Sequence, residues 1–162
     1  YMASRAALEI EKLNEQLAIV ATIDPVKLST SGATTSTTSA TTDVIDMDVF
    51  NKVMFIINTN TVAANSGIDF KVYEGSVSGT VTTSLKSMTR LVAADDDKQA
   101  IVEVDAEKLG DKMRYIKGVL TVLPTTGSTA TATVNVIALG GECRFGPASN
   151  YDLATVKQIE NA

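Results

Sequence analysis

The chain has 162 residues, a net charge of −5, one cysteine and no histidine. A domain of this length buries roughly 68–70% of its unfolded surface, so it can build a core without disulfides or metals. The absence of histidine excludes Ser-His-Asp catalysis and Cys/His metal sites. The acidic balance argues against nucleic acid, and no apolar run approaches the ~20 residues of a membrane span. We therefore expect a soluble protein made in the cytoplasm, without cofactor, nucleic-acid or membrane partners.

The first segment, residues 4–18, is predicted to form a helix. Its residues Ala6, Ile10, Leu13 and Leu17 recur at spacings of four, three and four, which places them on one apolar stripe. A short terminal helix outside a β domain has little of its own to pack against. Two interpretations stay open: a helix on its own domain, or an arm that docks its stripe on a neighbouring subunit.

A low-complexity Ser/Thr/Ala tract, residues 28–42, follows an apolar run that Pro25 is expected to stop. Its composition predicts an exposed extended loop or a solvated strand, and we favour a chain that lies along a partner's surface. Residues 1–42 are therefore assigned to an N-terminal helix and an extended arm.

Residues 43–140 contain closely spaced segments in which apolar and polar residues alternate, the pattern of half-buried strands. The exception is residues 52–58, KVMFIIN, whose continuous apolar run predicts a central strand covered on both faces. Residues 106–112 are predicted to form one helical turn between two strands. Seven or eight strands with short turns, and no helices for parallel crossovers, predict an antiparallel β-sandwich or jelly roll.

The tail, residues 141–162, is predicted to leave the sheet at Gly140 and Gly141 and to form a C-terminal arm with a short helix, capped by Asn150 or Asp152. The two terminal arms supply the candidate partner-binding residues. These are Ile10, Leu13, Leu17, Phe145, Tyr151, Leu153 and Val156.

The chain offers few candidates for catalysis or metal binding. Residues 95–97 are three aspartates without the glycine and distal glutamate of a calcium loop. Asp43, Asp46 and Asp48 could pair as acid and base, but Asp46 and Asp48 share the outward side of a strand next to water, where nothing separates their pKa values as acid–base catalysis requires. Cys143 lies beside Arg144, which would lower the pKa of the thiol and favour an intersubunit disulfide. The alternative is an inert thiol in a reducing cytosol. We expect no catalytic residue and no metal site.

The order of these segments resembles that of a group of small tailed-phage virion proteins. The resemblance is carried by residues 43–50, 52–58, 68–74, 101–109 and 114–122. It implies a small β-sandwich that binds the exterior of a phage capsid as a decoration, or cement, protein. The implied partners are the major capsid protein, whose neighbouring subunits it would clamp, and further copies of itself in a homotrimer or another symmetric oligomer.

Two alternatives remain beside a capsid decoration protein. The first is a structural protein of the neck or tail of the same particle. The second is a glycan-binding β-sandwich module, for which Tyr73, Tyr115 and Tyr151 offer a poor stacking platform in a chain without tryptophan. An enzyme is the least expected class.

Overall fold

The computed structural model describes residues 13–31, 36–127 and 129–158. Within these ranges the chain forms one four-residue helix, α1, and ten strands. The elements are α1 Leu13–Gln16, β1 Leu17–Ser29, β2 Thr38–Thr41, β3 Ile45–Asp46, β4 Phe50–Val62, β5 Ser66–Gly75, β6 Thr83–Ser87, β7 Leu91–Val92, β8 Gln99–Asp105, β9 Tyr115–Pro124 and β10 Thr131–Cys143. Single 3-10 turns occur at Ala93–Asp95, Ala106–Lys108 and Ala148–Tyr151.

The strands form two antiparallel sheets. Sheet A has the order β1-β10-β4-β8, and sheet B has the order β2-β9-β5-β6. The short strand β3 also pairs with β9, and β7 also pairs with β5. Since β2 and β3 share one partner and β6 and β7 share another, sheet B has four strand positions, two of which are interrupted.

The connectivity is that of a chain folded back on itself. Nested antiparallel pairs join β1 to β10, β2 and β3 to β9, β4 to β8, and β5 to β6 and β7. This double ribbon is then rolled up so that β10 also pairs with β4 and β9 with β5. The predicted antiparallel β-sandwich is confirmed, and its strand order is that of an eight-stranded jelly roll.

The core lies between the two sheets and is built by the inward side chains of alternate residues. In β9 and β10 buried and half-buried positions alternate almost without interruption. Phe55 on β4 and Phe70 on β5 meet across the core with ring centroids 5.4 Å apart. Gly118 on β9 lies directly beneath them, because a Cβ there would lie 2.5 Å from Phe70 Cζ. The absence of a side chain at residue 118 therefore lets the two aromatic rings pack.

We expect Gly118→Ala to destabilise the protein by about 1–3 kcal/mol, the usual cost of an extra methyl group in a filled core. Gly79→Ala is the control, because a Cβ at residue 79 would meet no atom within 4 Å. Urea unfolding of both variants gives the comparison. Equal free energies of unfolding would show that the Phe55 and Phe70 rings move aside without cost.

The predicted N-terminal helix is not supported over the residues that the structure describes. Helix α1 ends at Gln16, and Leu17 and Ala18, which were assigned to the helix, begin strand β1. Residues 1–12, which include Ala6 and Ile10, lie outside the described residues. The backbone of β10 offers a full-length hydrogen-bonding partner to residues 17–29, and this tertiary pairing overrides the local helical pattern.

The prediction of an extended arm over residues 1–42 is also corrected where the chain is described. β1 and β2 lie within this stretch and are hydrogen-bonded strands of the sandwich. Pro25 does not stop β1, since it lies at a register shift between Ile23 and Val26. Proline is tolerated at such irregularities and on edge strands, and β1 is an edge strand.

The end of the sandwich also differs from the predicted boundary at residue 140. Strand β10 continues through Gly141 to Cys143, which pairs with Phe50. In place of the predicted C-terminal helix, the described tail has only the 3-10 turn Ala148–Tyr151. The single helical turn predicted for residues 106–112 is present as the shorter 3-10 turn Ala106–Lys108.

Candidate functional site

The outer face of sheet A, the side turned away from the core, carries aliphatic side chains on all four strands. Strand pairing aligns two rows across the sheet. The first row contains Ile19, Leu139, Met54 and Glu103, and the second contains Thr22, Ile137, Ile56 and Ile101. Paired residues share a face of the sheet. We call the six aliphatic residues of these rows, Ile19, Met54, Ile56, Ile101, Ile137 and Leu139, the outer patch.

The outer patch is open to solvent to different degrees. Ile101 is 64% exposed, whereas the other five side chains are partly buried by their neighbours in the sheet. On β4 the inward residues Val53, Phe55 and Ile57 are fully buried in the core. From the continuous apolar run of residues 52–58, we predicted a strand with both of its faces covered by other parts of the protein. The described elements place the core on one face only, so the second apolar face of β4 contributes to the outer patch.

A groove of about 280 Å³ continues the outer patch towards α1. Its apolar wall is formed by Leu17, Met54 and Leu139. Leu17 lies over Gly141, where an added Cβ would be 3.1 Å from Leu17 Cδ2. The rim is charged, because Lys52 forms a 2.9 Å ion pair with Glu142 that raises the pKa of Lys52. An apolar floor with a charged rim is typical of a protein-binding surface.

The predicted partner-binding residues of the N-terminal segment fall at one end of this groove. Leu13 in α1 is 69% exposed, whereas Leu17 is half-buried on β1 and lines the groove. Ile10 lies outside the described residues. The Leu13 side chain is therefore open to solvent, whereas Leu17, four residues later, lies in the sheet.

The predicted residues of the tail lie against their own sandwich. The Tyr151 ring meets the Phe50 ring edge to face, with centroids 5.7 Å apart, and the Tyr151 hydroxyl donates to the Phe145 carbonyl at 2.9 Å. The Phe145 side chain itself is 67% exposed. The structure thus brings Phe145 and Tyr151 together and leaves the Phe145 ring available to a partner.

Leu153 and Val156 follow at the free edge of β1. The Leu153 N–H donates to the Ile19 carbonyl at 2.8 Å, and the Ile19 N–H donates to Asp152 Oδ1 at 2.7 Å. Val156 closes a turn by donating its N–H to the Leu153 carbonyl. These bonds occupy backbone groups at the edge of β1 that could otherwise pair with another chain.

Sequence reasoning missed the outer patch as a site. The signal was present in two runs, residues 52–58 and 134–139, whose apolar residues fall on both sides of a strand. The first run was assigned to a strand covered from both sides. In the second, the outward positions of Ile137 and Leu139 became evident only from the pairing of β10 with β4.

Asp46 and Asp48, which were weighed as an acid–base pair, instead share one cation. Arg114 Nε donates to Asp46 Oδ1 at 2.8 Å, and its Nη1 lies 2.9 Å from Asp48 Oδ2. The hydrogen bond from Arg114 lowers the pKa of Asp46, against a smaller opposing effect of burial. A carboxylate held ionised in this way does not serve as a proton donor near neutral pH. The contacts of Arg114 with Asp46 and Asp48 instead connect β3 and the turn after it to the start of β9.

The Asp46–Arg114 contact predicts a pH-dependent contribution to stability. Because the pKa of Asp46 is lower in the folded state, the contact stabilises the fold above the ordinary aspartate pKa of about 3.9. This contribution is lost as the pH falls through the lower, folded-state pKa. We expect Asp46→Asn to lower the melting temperature near neutral pH and to approach the wild type as the pH falls through the lowered, folded-state pKa of Asp46.

Thermal melts over a pH series measure this difference, with Asp111→Asn, an exposed carboxylate in the turn before β9, as the control. A deficit of Asp46→Asn that persists unchanged in acid would assign the effect to lost packing and not to charge.

Other titratable groups form no reactive arrangement in the part of the chain that the structure describes. That part contains no group of three or more His, Cys, Asp or Glu residues able to hold a metal ion. In the predicted acidic turn, Asp95 pairs with Lys98, and Asp96 accepts the Val62 N–H. Cys143 is half-buried and has its Sγ 3.4 Å from the Phe145 carbonyl. No helix of residues 13–31, 36–127 or 129–158 is long and apolar enough to cross a membrane.

Two isoleucine-to-alanine substitutions, one on each face of sheet A, test which side chains point into the core and which point outward. We expect Ile57→Ala, in the core, to cost about 2–5 kcal/mol. Ile101→Ala, on the outer patch, should cost less than about 1 kcal/mol, since it loses mainly β propensity. Chemical denaturation of the two variants gives the comparison. A large loss for Ile101→Ala in dilute solution would show that another part of the chain already covers this side chain.

Comparison with known proteins identifies a likeness of fold only. No protein-family model and no curated protein sequence matches the chain. Among solved structures, it is similar to a chain of the infectious bursal disease virus Gt strain, with 10% sequence identity and a TM-score of 0.54 over 83% of this chain and 33% of that one. It is also similar to a chain of T=1 particles derived from infectious bursal virus, with 13% identity and a TM-score of 0.54 over 83% of this chain and 33% of that one. A VP2 subviral particle of infectious bursal disease virus gives 11% identity, a TM-score of 0.52, and coverage of 84% and 33%. The chain spans one third of the length of these virus-particle chains and shares their β-sandwich fold.

Proposed function

We propose that this chain is a structural virion protein that binds the exterior of a phage capsid and clamps neighbouring major capsid subunits. The observation that carries the proposal is the outer patch, an aliphatic face on a sandwich whose core is already complete without it. A side chain such as Ile101, 64% exposed, gains its full hydrophobic stabilisation only when a partner covers it. The patch therefore suits a protein whose function is to bind other proteins.

Three further observations support a structural role over an enzymatic one. The fold is shared with chains of virus particles, the sequence resembles small tailed-phage virion proteins, and the ionised groups that were candidates for catalysis are used to tie loops to strands. A jelly roll with a tightly packed core and edge-blocking contacts is also well suited to persist on a particle surface.

The proposal includes two kinds of partner. One is the major capsid protein, and the other is further copies of this chain in a homotrimer or another symmetric oligomer. On a particle surface the same contact is repeated many times, so a modest affinity per contact is sufficient for stable attachment. Besides the outer patch, the Phe145 ring just after the end of β10 is 67% exposed and offers a further apolar contact.

The copy number of the chain in purified particles tests this function. Particles are purified from the strain that encodes the chain, and quantitative mass spectrometry compares its amount with that of the most abundant shell protein. A decoration protein should be present in copy numbers similar to those of the shell protein. A count that is only a small fraction of the shell protein would instead favour the neck or tail of the particle, and absence from the particles would overturn a virion role. A chain that is itself the most abundant shell protein would replace decoration by shell building.

A further inference from the structure

We propose that the outer patch is the contact surface of a symmetric dimer, in which the outer faces of sheet A of two copies stack on each other. The two-fold axis crosses the strands between the two rows of the outer patch, so that each row of one copy lies on the other row of the second copy. The inference deepens the proposed function, and it rests on that function for the expectation that copies associate. The geometry of the contact is argued from the described residues of sheet A.

The first argument is the pattern of the outer face, which is apolar in the middle and polar on both sides along the strands. The two rows of the outer patch are neighbours. On one side of them the next row contains the paired residues Lys52 and Asp105, and on the other side it contains the paired residues Asn58 and Gln99. A two-fold axis between the two central rows therefore places apolar rows on apolar rows and polar rows on polar rows.

Within this stack the large aliphatic side chains of the two central strands meet. Met54 on β4 lies opposite Ile56 of the second copy, and Leu139 on β10 lies opposite Ile137 of the second copy, with each contact occurring twice. Stacked sheets lie about 10 Å apart, which leaves room for the interdigitating side chains of both faces. Since both sheets have the same twist, they can pack in the aligned arrangement of a β-sandwich.

The charged residues of β8 distinguish this axis from the other two-fold axis that would also stack the outer patch on itself. The alternative axis runs along the strands between β10 and β4, and it places β8 over β1 of the second copy. Asp105 would then lie on Leu17 and Glu103 on Ile19, which presses two carboxylates against aliphatic side chains. The proposed axis places β8 over β8, where Asp105 lies opposite the amide of Gln99, a hydrogen-bond donor.

The size of the face is compatible with a weak dimer. Four strands at a spacing of about 4.8 Å, with their side chains, give a width of about 19 Å. The two central rows and the row on each side extend over about 27 Å along the strands. The stack therefore buries about 1,000 Å² over both copies, which is at the lower limit of specific interfaces. We expect a dimer that dissociates in dilute solution and is reinforced where a particle holds many copies together.

The test replaces one exposed residue of the full-length chain by either a positive or a negative charge. Ile101 is 64% exposed, so the fold tolerates both substitutions, and in the stack it lies opposite Glu103 of the second copy. Ile101→Lys therefore creates two ion pairs per dimer, whereas Ile101→Glu creates two repulsive contacts. Val77→Lys and Val77→Glu are the matched controls for net charge, since Val77 is 59% exposed in the loop between β5 and β6 of sheet B.

Sedimentation equilibrium at protein concentrations up to about 1 mM gives the dimer dissociation constant of each variant. We expect a reversible wild-type dimer, and a dissociation constant for Ile101→Glu that is roughly tenfold or more above that of Ile101→Lys. The difference should shrink at about 1 M salt, which screens exposed charges. The two Val77 variants should dimerise like the wild type. Melting temperatures confirm that all four variants fold.

Two results would overturn the inference. The first is a wild-type chain that stays monomeric over the whole concentration range, which would leave the outer patch to a different protein or to another part of the same chain. The second is a difference between Ile101→Lys and Ile101→Glu that is no larger than the difference between the Val77 variants. This result would show that Ile101 does not lie opposite Glu103.

The outcome is distinguishable from that of the copy-number experiment, because the dimer is measured with the purified chain. A dimer with these charge effects, together with absence of the chain from purified particles, would retain the contact and remove the virion role. Abundant copies on particles without this dimer would retain the role and require a different contact.

Discussion

Sheet A depends on the pairing of β10 with a strand on each side. β10 joins the N-terminal strand β1 to β4, and it is the one strand of sheet A that pairs with β1 among the described residues. The same pairing determines both faces of the sheet. Val134 and Val136 point into the core, whereas Ile137 and Leu139 point outward to the patch. Because the side-chain period of a strand is two, a slip of one residue would exchange the two faces.

The polar contacts of the sandwich are concentrated where strands begin, end or lie at an edge. Arg114 ties the turn after β3 to β9, and the tail hydrogen-bonds to the outer edge of β1. At the opposite edge of sheet A, Lys86 Nζ donates to the Glu103 carbonyl of β8 at 3.1 Å. Such contacts discourage edge-to-edge pairing between copies.

The candidate site was partly evident in the sequence and partly hidden. The apolar stripe of the N-terminal segment and the aromatic residues Phe145 and Tyr151 were recognisable as candidates for contacts with partners. Their surroundings were not, because the position of Tyr151 depends on an edge-to-face contact with Phe50, about 100 residues earlier in the chain. The outer patch was hidden for the same reason. It is formed by four strands that are distant in sequence and become neighbours only through the order β1-β10-β4-β8.

The sequence by itself determined the class of fold, because alternating apolar residues and short turns are local signals that specify antiparallel strands. It also determined the absence of histidine chemistry, which is a matter of composition. It did not determine where the N-terminal helix ends. Residues 13–18 carry helical spacing, and only the backbone of β10, more than 120 residues away, draws Leu17 and Ala18 into a strand. Local periodicity is a property of neighbours in sequence, whereas strand pairing and the exposure of each face are properties of the folded arrangement, and these the tertiary structure decided.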